Sequence, residues 1–121
     1  MRAICEVKIT GMGEGALDFV DDKILILFSG DAGNGVEEFS VQITMPQLSD
    51  DIVRGNCVRM GTEEYQVTAV GEEAMETFRL LGHCTLRFDG SDTPVLPGTI
   101  HLTDSAVPEV HIGDIISFYE P

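Results

Sequence analysis

The chain has 121 residues, 43% of them hydrophobic, and carries 21 acidic against 7 basic residues for a formal charge of -14. That is a single domain, 1–121, with enough apolar content for one core and too much for disorder. An acid excess of this size repels nucleic acid and anionic membrane surfaces; it would attract a partner with a basic face, or serve solubility alone.

The longest apolar run, Ile24–Phe28, is far too short to span a bilayer, and MRAICEVKIT lacks the apolar stretch of an export signal. A cytoplasmic protein without direct membrane insertion is expected. The three cysteines, Cys5, Cys57 and Cys84, lie far apart in strand-like runs with no CxxC. Buried free thiols in a reducing compartment are expected, and no metal site.

In chain order, Ala3–Thr10 alternates imperfectly and predicts a first strand. The glycines of GMGEG (residues 11–15) have the wrong spacing for a dinucleotide fingerprint and predict a flexible turn. Ala16–Asp22 reads as at most a helical turn, and Ile24–Ser29 as a buried strand. Asn34-Gly35 is a turn signal that suits a hairpin into the next strand. There Phe39, Val41, Ile43 and Met45 alternate with Ser40, Gln42 and Thr44, until Pro46 ends the run. Gln47–Gly55 is connective. Cys57–Met60 and Glu64–Val70 flank Gly61-Thr62 as a second hairpin.

Gly71 breaks that strand. Ala74, Phe78 and Leu81 then form an apolar stripe at helical spacing, with Glu72, Glu73 and Glu76 where the helix dipole favours negative charge. Gly82 is placed to end this helix, Glu72–Leu81. From His83 the period becomes two: Cys84, Leu86 and Phe88 face one way, His83, Thr85, Arg87 and Asp89 the other. Asp89-Gly90 turns the chain, Ser91–Gly98 is a loop, Thr99–Thr103 is a strand, Asp104–Gly113 is a loop, and Ile115–Tyr119 closes the chain. The expected fold is mostly β: a small closed barrel of about six to eight short strands with one short helix.

Histidine occurs only at His83, His101 and His111. His83 and Arg87 share the polar face of one strand, and His101 shares that of another with Thr99 and Thr103. If the strands are neighbours, a neutral imidazole and a guanidinium would meet on one surface, which suits phosphoryl transfer. The bland alternative has His83 bonded to a carbonyl at the helix end and Arg87 solvated. His111, in a Pro/Gly-flanked loop, is expected to be uninvolved. No carboxylate pair, calcium loop or nucleophile elbow is present, which leaves glycosidase, protease and serine-hydrolase chemistry without support.

The ordered motifs VTAVGE (Val67–Glu72), LGHCTLRFDG (Leu81–Gly90) and LPGTIHL (Leu96–Leu102), with VEEF at Val36–Phe39, resemble the glucitol/sorbitol-specific IIA component of the bacterial phosphoenolpyruvate-dependent sugar phosphotransferase system, over nearly the whole chain. The resemblance implies a closed, Greek-key-like barrel. It implies a phosphocarrier that takes a phosphoryl group from the histidine-containing phosphocarrier protein and passes it to IIB and the hexitol permease, with no cofactor. In that family the acceptor histidine follows the Glu-Glu pair, which here falls at or near Ile43, and the first 82 residues contain no histidine. Two readings follow. Either His83 is the acceptor, with Arg87 as charge stabiliser and His101 in support, or the chain is a non-catalytic regulatory or protein-binding module of the same fold.

Overall fold

The computed structural model describes residues 1–29 and 36–121, so the expected Asn34-Gly35 turn lies outside the described residues. Eight strands are present among them: β1 (Arg2–Met12), β2 (Ile24–Phe28), β3 (Val41–Ile43), β4 (Cys57–Met60), β5 (Glu63–Val70), β6 (Cys84–Arg87), β7 (Thr99–Leu102) and β8 (Ile115–Glu120). One helix, α1 (Ala74–Leu81), and two 3-10 turns, Val20–Asp22 and Val36–Phe39, complete the fold. The strands close into a barrel in the order β1-β3-β2-β6-β7-β5-β4-β8, as expected from the alternating segments.

Two pairs in the barrel are parallel, β2 with β3 and β6 with β7. The first corrects the expected hairpin between β2 and β3. Parallel neighbours need a crossover rather than a tight turn, and the 3-10 turn Val36–Phe39 leads into β3. The same turn shortens the expected Phe39–Met45 strand to Val41–Ile43, leaving Phe39 and Met45 exposed at its two ends. The β4–β5 hairpin forms as expected, with Met60 paired to Glu63.

The untidy alternation of β1 has a local cause. Its pairing with β8 shifts between Ala3 and Cys5, so Ile4 and Cys5 are both buried although they are neighbours. A second bulge lies in β5, where Val67 pairs with Leu102 and Ala69 with His101, leaving Thr68 as the extra residue.

Inward side chains from every strand form one core. Cys5 and Cys84 are buried free thiols, and burial pushes Cys5 up to about 11. Cys57 is only half-buried. Helix α1 turns Ala74 and Phe78 into this core, with Phe78 tilted against Phe118 at a centroid distance of 5.7 Å. The helix ends at Gly82, whose φ of 63° is left-handed and whose N–H donates to Phe78 O at 2.9 Å.

Candidate functional site

Gly82 delivers His83 to the junction of α1 and β6. The His83 N–H donates to Thr77 O at 3.3 Å, so the backbone is fixed while the ring stays half-buried. The ring stands edge-on to Phe28, centroids 5.8 Å apart. Among the described residues no hydrogen bond or ion pair engages the imidazole nitrogens. Burial holds its pKa below the ordinary 6.5, which favours the neutral form that carries a free lone pair.

Four residues on, Arg87 does not lean back towards His83. Its Nε lies 3.7 Å from Asp89 Oδ2, on the far side, too long for a hydrogen bond, and this buried nitrogen has no other partner among the described residues. A fully extended chain spans about 13 Å over four residues at ~3.3 Å per residue. Among the described residues no hydrogen bond or ion pair joins His83 and Arg87.

Arg87 instead meets His101. The parallel β6–β7 register sets the two residues opposite each other, with Thr85 opposite Thr99. His101 is 0% exposed. Its Nδ1 lies 2.8 Å from Asp89 Oδ1, and its Nε2 accepts the Val95 N–H at 3.3 Å. A nitrogen that accepts cannot carry a proton, so the hydrogen sits on Nδ1 and is donated to Asp89. The same carboxylate oxygen accepts the Ser91 N–H at 3.1 Å. Burial pushes the Asp89 carboxyl up, but the bonds from His101 and Ser91 and the charge of Arg87 outweigh it and hold the pKa below 3.8.

Asp89 thus does more than turn the chain, and it is the residue that the sequence reading missed. Its place two positions after Arg87 on the polar face was visible. Its partner was not, because only the β6–β7 register brings His101 there. Thr99 is also buried, whereas Thr103 stays exposed and bonds to Gln66.

Ile43, where the resemblance puts the acceptor, is 2% exposed in the core and pairs with Ile9. An aliphatic side chain has no lone pair to offer. His111 lies elsewhere, paired with Glu109 at 3.0 Å, in the wall of a cleft of about 480 Å³ that Glu63, Glu109 and Asp114 also line. Three carboxylates make that cleft hostile to a phosphoryl group. No group of side chains suited to a metal ion occurs among the described residues, nor any helix long and apolar enough to cross a membrane.

The fold is a closed eight-stranded barrel with a half-buried His83 at its helix–strand junction and a buried His101 on β7, and comparison with known proteins supplies the family. Residues 4–117 match the PTS system glucitol/sorbitol-specific IIA component, and the chain belongs to that family. The PTS system glucitol/sorbitol-specific EIIA components of Escherichia coli (strain K12) and Shigella flexneri are each 34% identical over 118 residues, covering 98% of this chain and 96% of theirs. The fold is shared with the crystal structure of a PTS system IIA component from Enterococcus faecalis V583, with a TM-score of 0.80 at 23% identity, over 94% of this chain and 98% of that one.

Proposed function

We propose that the protein is the phosphocarrier IIA component of a glucitol/sorbitol-type phosphotransferase system. The full-length match to the glucitol/sorbitol-specific family carries this reading. The protein works in the cytoplasm, taking a phosphoryl group from the histidine-containing phosphocarrier protein and handing it to the IIB and permease components. Its acid excess suits a donor with a basic face.

His83 is the acceptor that a docked partner reaches, because its ring is half-exposed and, among the described residues, nothing bonds to its nitrogens. A ring lone pair attacks the phosphorus of the donor's phosphohistidine. A new P–N bond forms as the old one breaks, and the electron pair returns to the donor imidazole. Arg87 is too far along β6 to spread the charge of this transfer without rearrangement, so the donor must bring cationic groups of its own.

The test is incubation with phosphoenolpyruvate, the system's first enzyme and the phosphocarrier. Acid-labile, base-stable phosphate is expected on the protein and lost in His83→Gln. Label that survives this change moves the acceptor to another histidine. No label, where a control IIA component is labelled, leaves the chain a non-catalytic binding module.

A further inference from the structure

Residues 91–98 form a roof over the Arg87–Asp89–His101 cluster. Its two ends are tied to the barrel. At one end Thr68, the bulge residue of β5, donates its hydroxyl to Ser91 O at 2.6 Å. At the other, the Glu73 and Thr85 N–H groups donate to Pro97 O and Gly98 O at 2.9 and 3.1 Å. Gly71 allows this close approach, because an added Cβ would run into the Leu96 and Pro97 carbonyls. The crest is held differently. Ser91, Asp92 and Thr93 bond among themselves, and among the described residues the Val95 N–H is the one donor from residues 92–95 to the barrel.

The group beneath is chemically loaded. A carboxylate fixes the proton of His101 on Nδ1, which leaves the Nε2 lone pair aimed at the Val95 N–H. Arg87 stands on the neighbouring strand, its Nε 3.7 Å from Asp89 Oδ2 and without a hydrogen bond among the described residues. An oriented nucleophile beside a spare cationic donor is a phosphoryl-acceptor arrangement, and the Val95 N–H occupies the nitrogen that would react.

We propose that residues 91–98 are a lid, and that lifting Val95 turns His101 Nε2 into a second phosphoryl acceptor, with Asp89 as its positioning residue. The transfer from a protein donor rests on the phosphocarrier reading; the capped reactivity of His101 does not. In the step, Nε2 attacks phosphorus, the P–N bond to the donor breaks with its electron pair leaving on the donor nitrogen, and the Nδ1 proton stays shared with Asp89. Arg87 Nε–H donates to a phosphoryl oxygen.

The test removes the cap without touching the buried groups. Val95 is 59% exposed, so Val95→Pro deletes the N–H while its side chain stays in solvent. Potassium phosphoramidate serves as donor, with ammonia as leaving group, in the His83→Gln background, and label at His101 is read by mass spectrometry. At least a tenfold faster labelling of His101 is expected in Val95→Pro, with a single cooperative unfolding transition retained. His101→Gln abolishes this label. Asp89→Ala slows it, and the ring ¹⁵N spectrum of His101 then shows a mixture of tautomers, a change that a purely structural role would not produce. Asp89→Asn, whose amide oxygen can still accept from Nδ1, keeps the tautomer. Equal labelling of His101 with and without the cap overturns the proposal. A parallel reaction of the phosphocarrier with the chain that retains His83 separates the two ideas. Label from phosphoramidate but none from the phosphocarrier sinks the transfer reading and leaves the lid standing. Label from the phosphocarrier at His83, with no uncapping effect at His101, sinks the lid alone.

Discussion

His83 titrates against its surroundings. Desolvation beside Phe28 disfavours the imidazolium, so the folded pKa lies below the unfolded 6.5. The sign follows by linkage. Between the two pKa values the unfolded chain binds more protons, so this group's contribution to stability is present above pH 6.5 and is lost as pH falls through the folded value. The His83 ring proton resonance, followed by NMR, is expected to titrate with a midpoint below 6.5, and Phe28→Ala should move it upwards. A midpoint at or above 6.5 in the wild-type chain would remove the argument for a neutral, nucleophilic ring. The same logic explains why the partner chemistry of His101 was invisible in the sequence. The residue types were legible, but its burial and its bond to Asp89 come from the parallel register with β6 and from the roof, which no local pattern encodes.

At the level of elements, α1 joins the sequence pattern to the site. Its stripe was legible as Ala74, Phe78 and Leu81. The structure buries the first two and exposes Leu81, and the helix starts at Ala74 rather than Glu72, because Gly71 and the Pro97 carbonyl occupy the preceding turn. Strand positions read well wherever one face was apolar, as in β5 and β6. They read poorly at β3, where the 3-10 turn took over the first half of an alternating run. Phe78→Ala is expected to cost about 3–5 kcal/mol in urea unfolding, since it empties a fully buried ring site against Phe118. Gly82→Ala combines a left-handed φ with a Cβ that would collide with Ser29 Cβ, and is expected to cost about 2–4 kcal/mol. It should also disturb the His83 resonance, because Gly82 sets the angle at which β6 leaves the helix. A loss under about 1 kcal/mol would mean that the junction relaxes freely.

For the molecule as a whole, charge is the dominant long-range term. Arg2, Lys23, Arg59 and Arg79 are each engaged by surface carboxylates, so few cations remain to offset 21 acidic side chains. Exposed pairs of this kind contribute about 0–1 kcal/mol each, whereas self-repulsion acts on every carboxylate at once. Raising sodium chloride from about 10 mM to about 300 mM at neutral pH is therefore expected to raise Tm by a few degrees, as the screening length falls well below the molecular diameter. A fall in Tm would show that the ion pairs outweigh the repulsion. The barrel's closure has a different consequence, in time rather than in energy. Strand β8 lies between β1 and β4, pairing with Arg2–Lys8 on one side and with all of β4 on the other. During synthesis both partners wait with open backbone edges until Ile115–Glu120 leaves the ribosome. The nascent chain therefore has no closed barrel to fold into before β8 is made, and until then the edges of β1 and β4 stay open to strand-pairing with other chains.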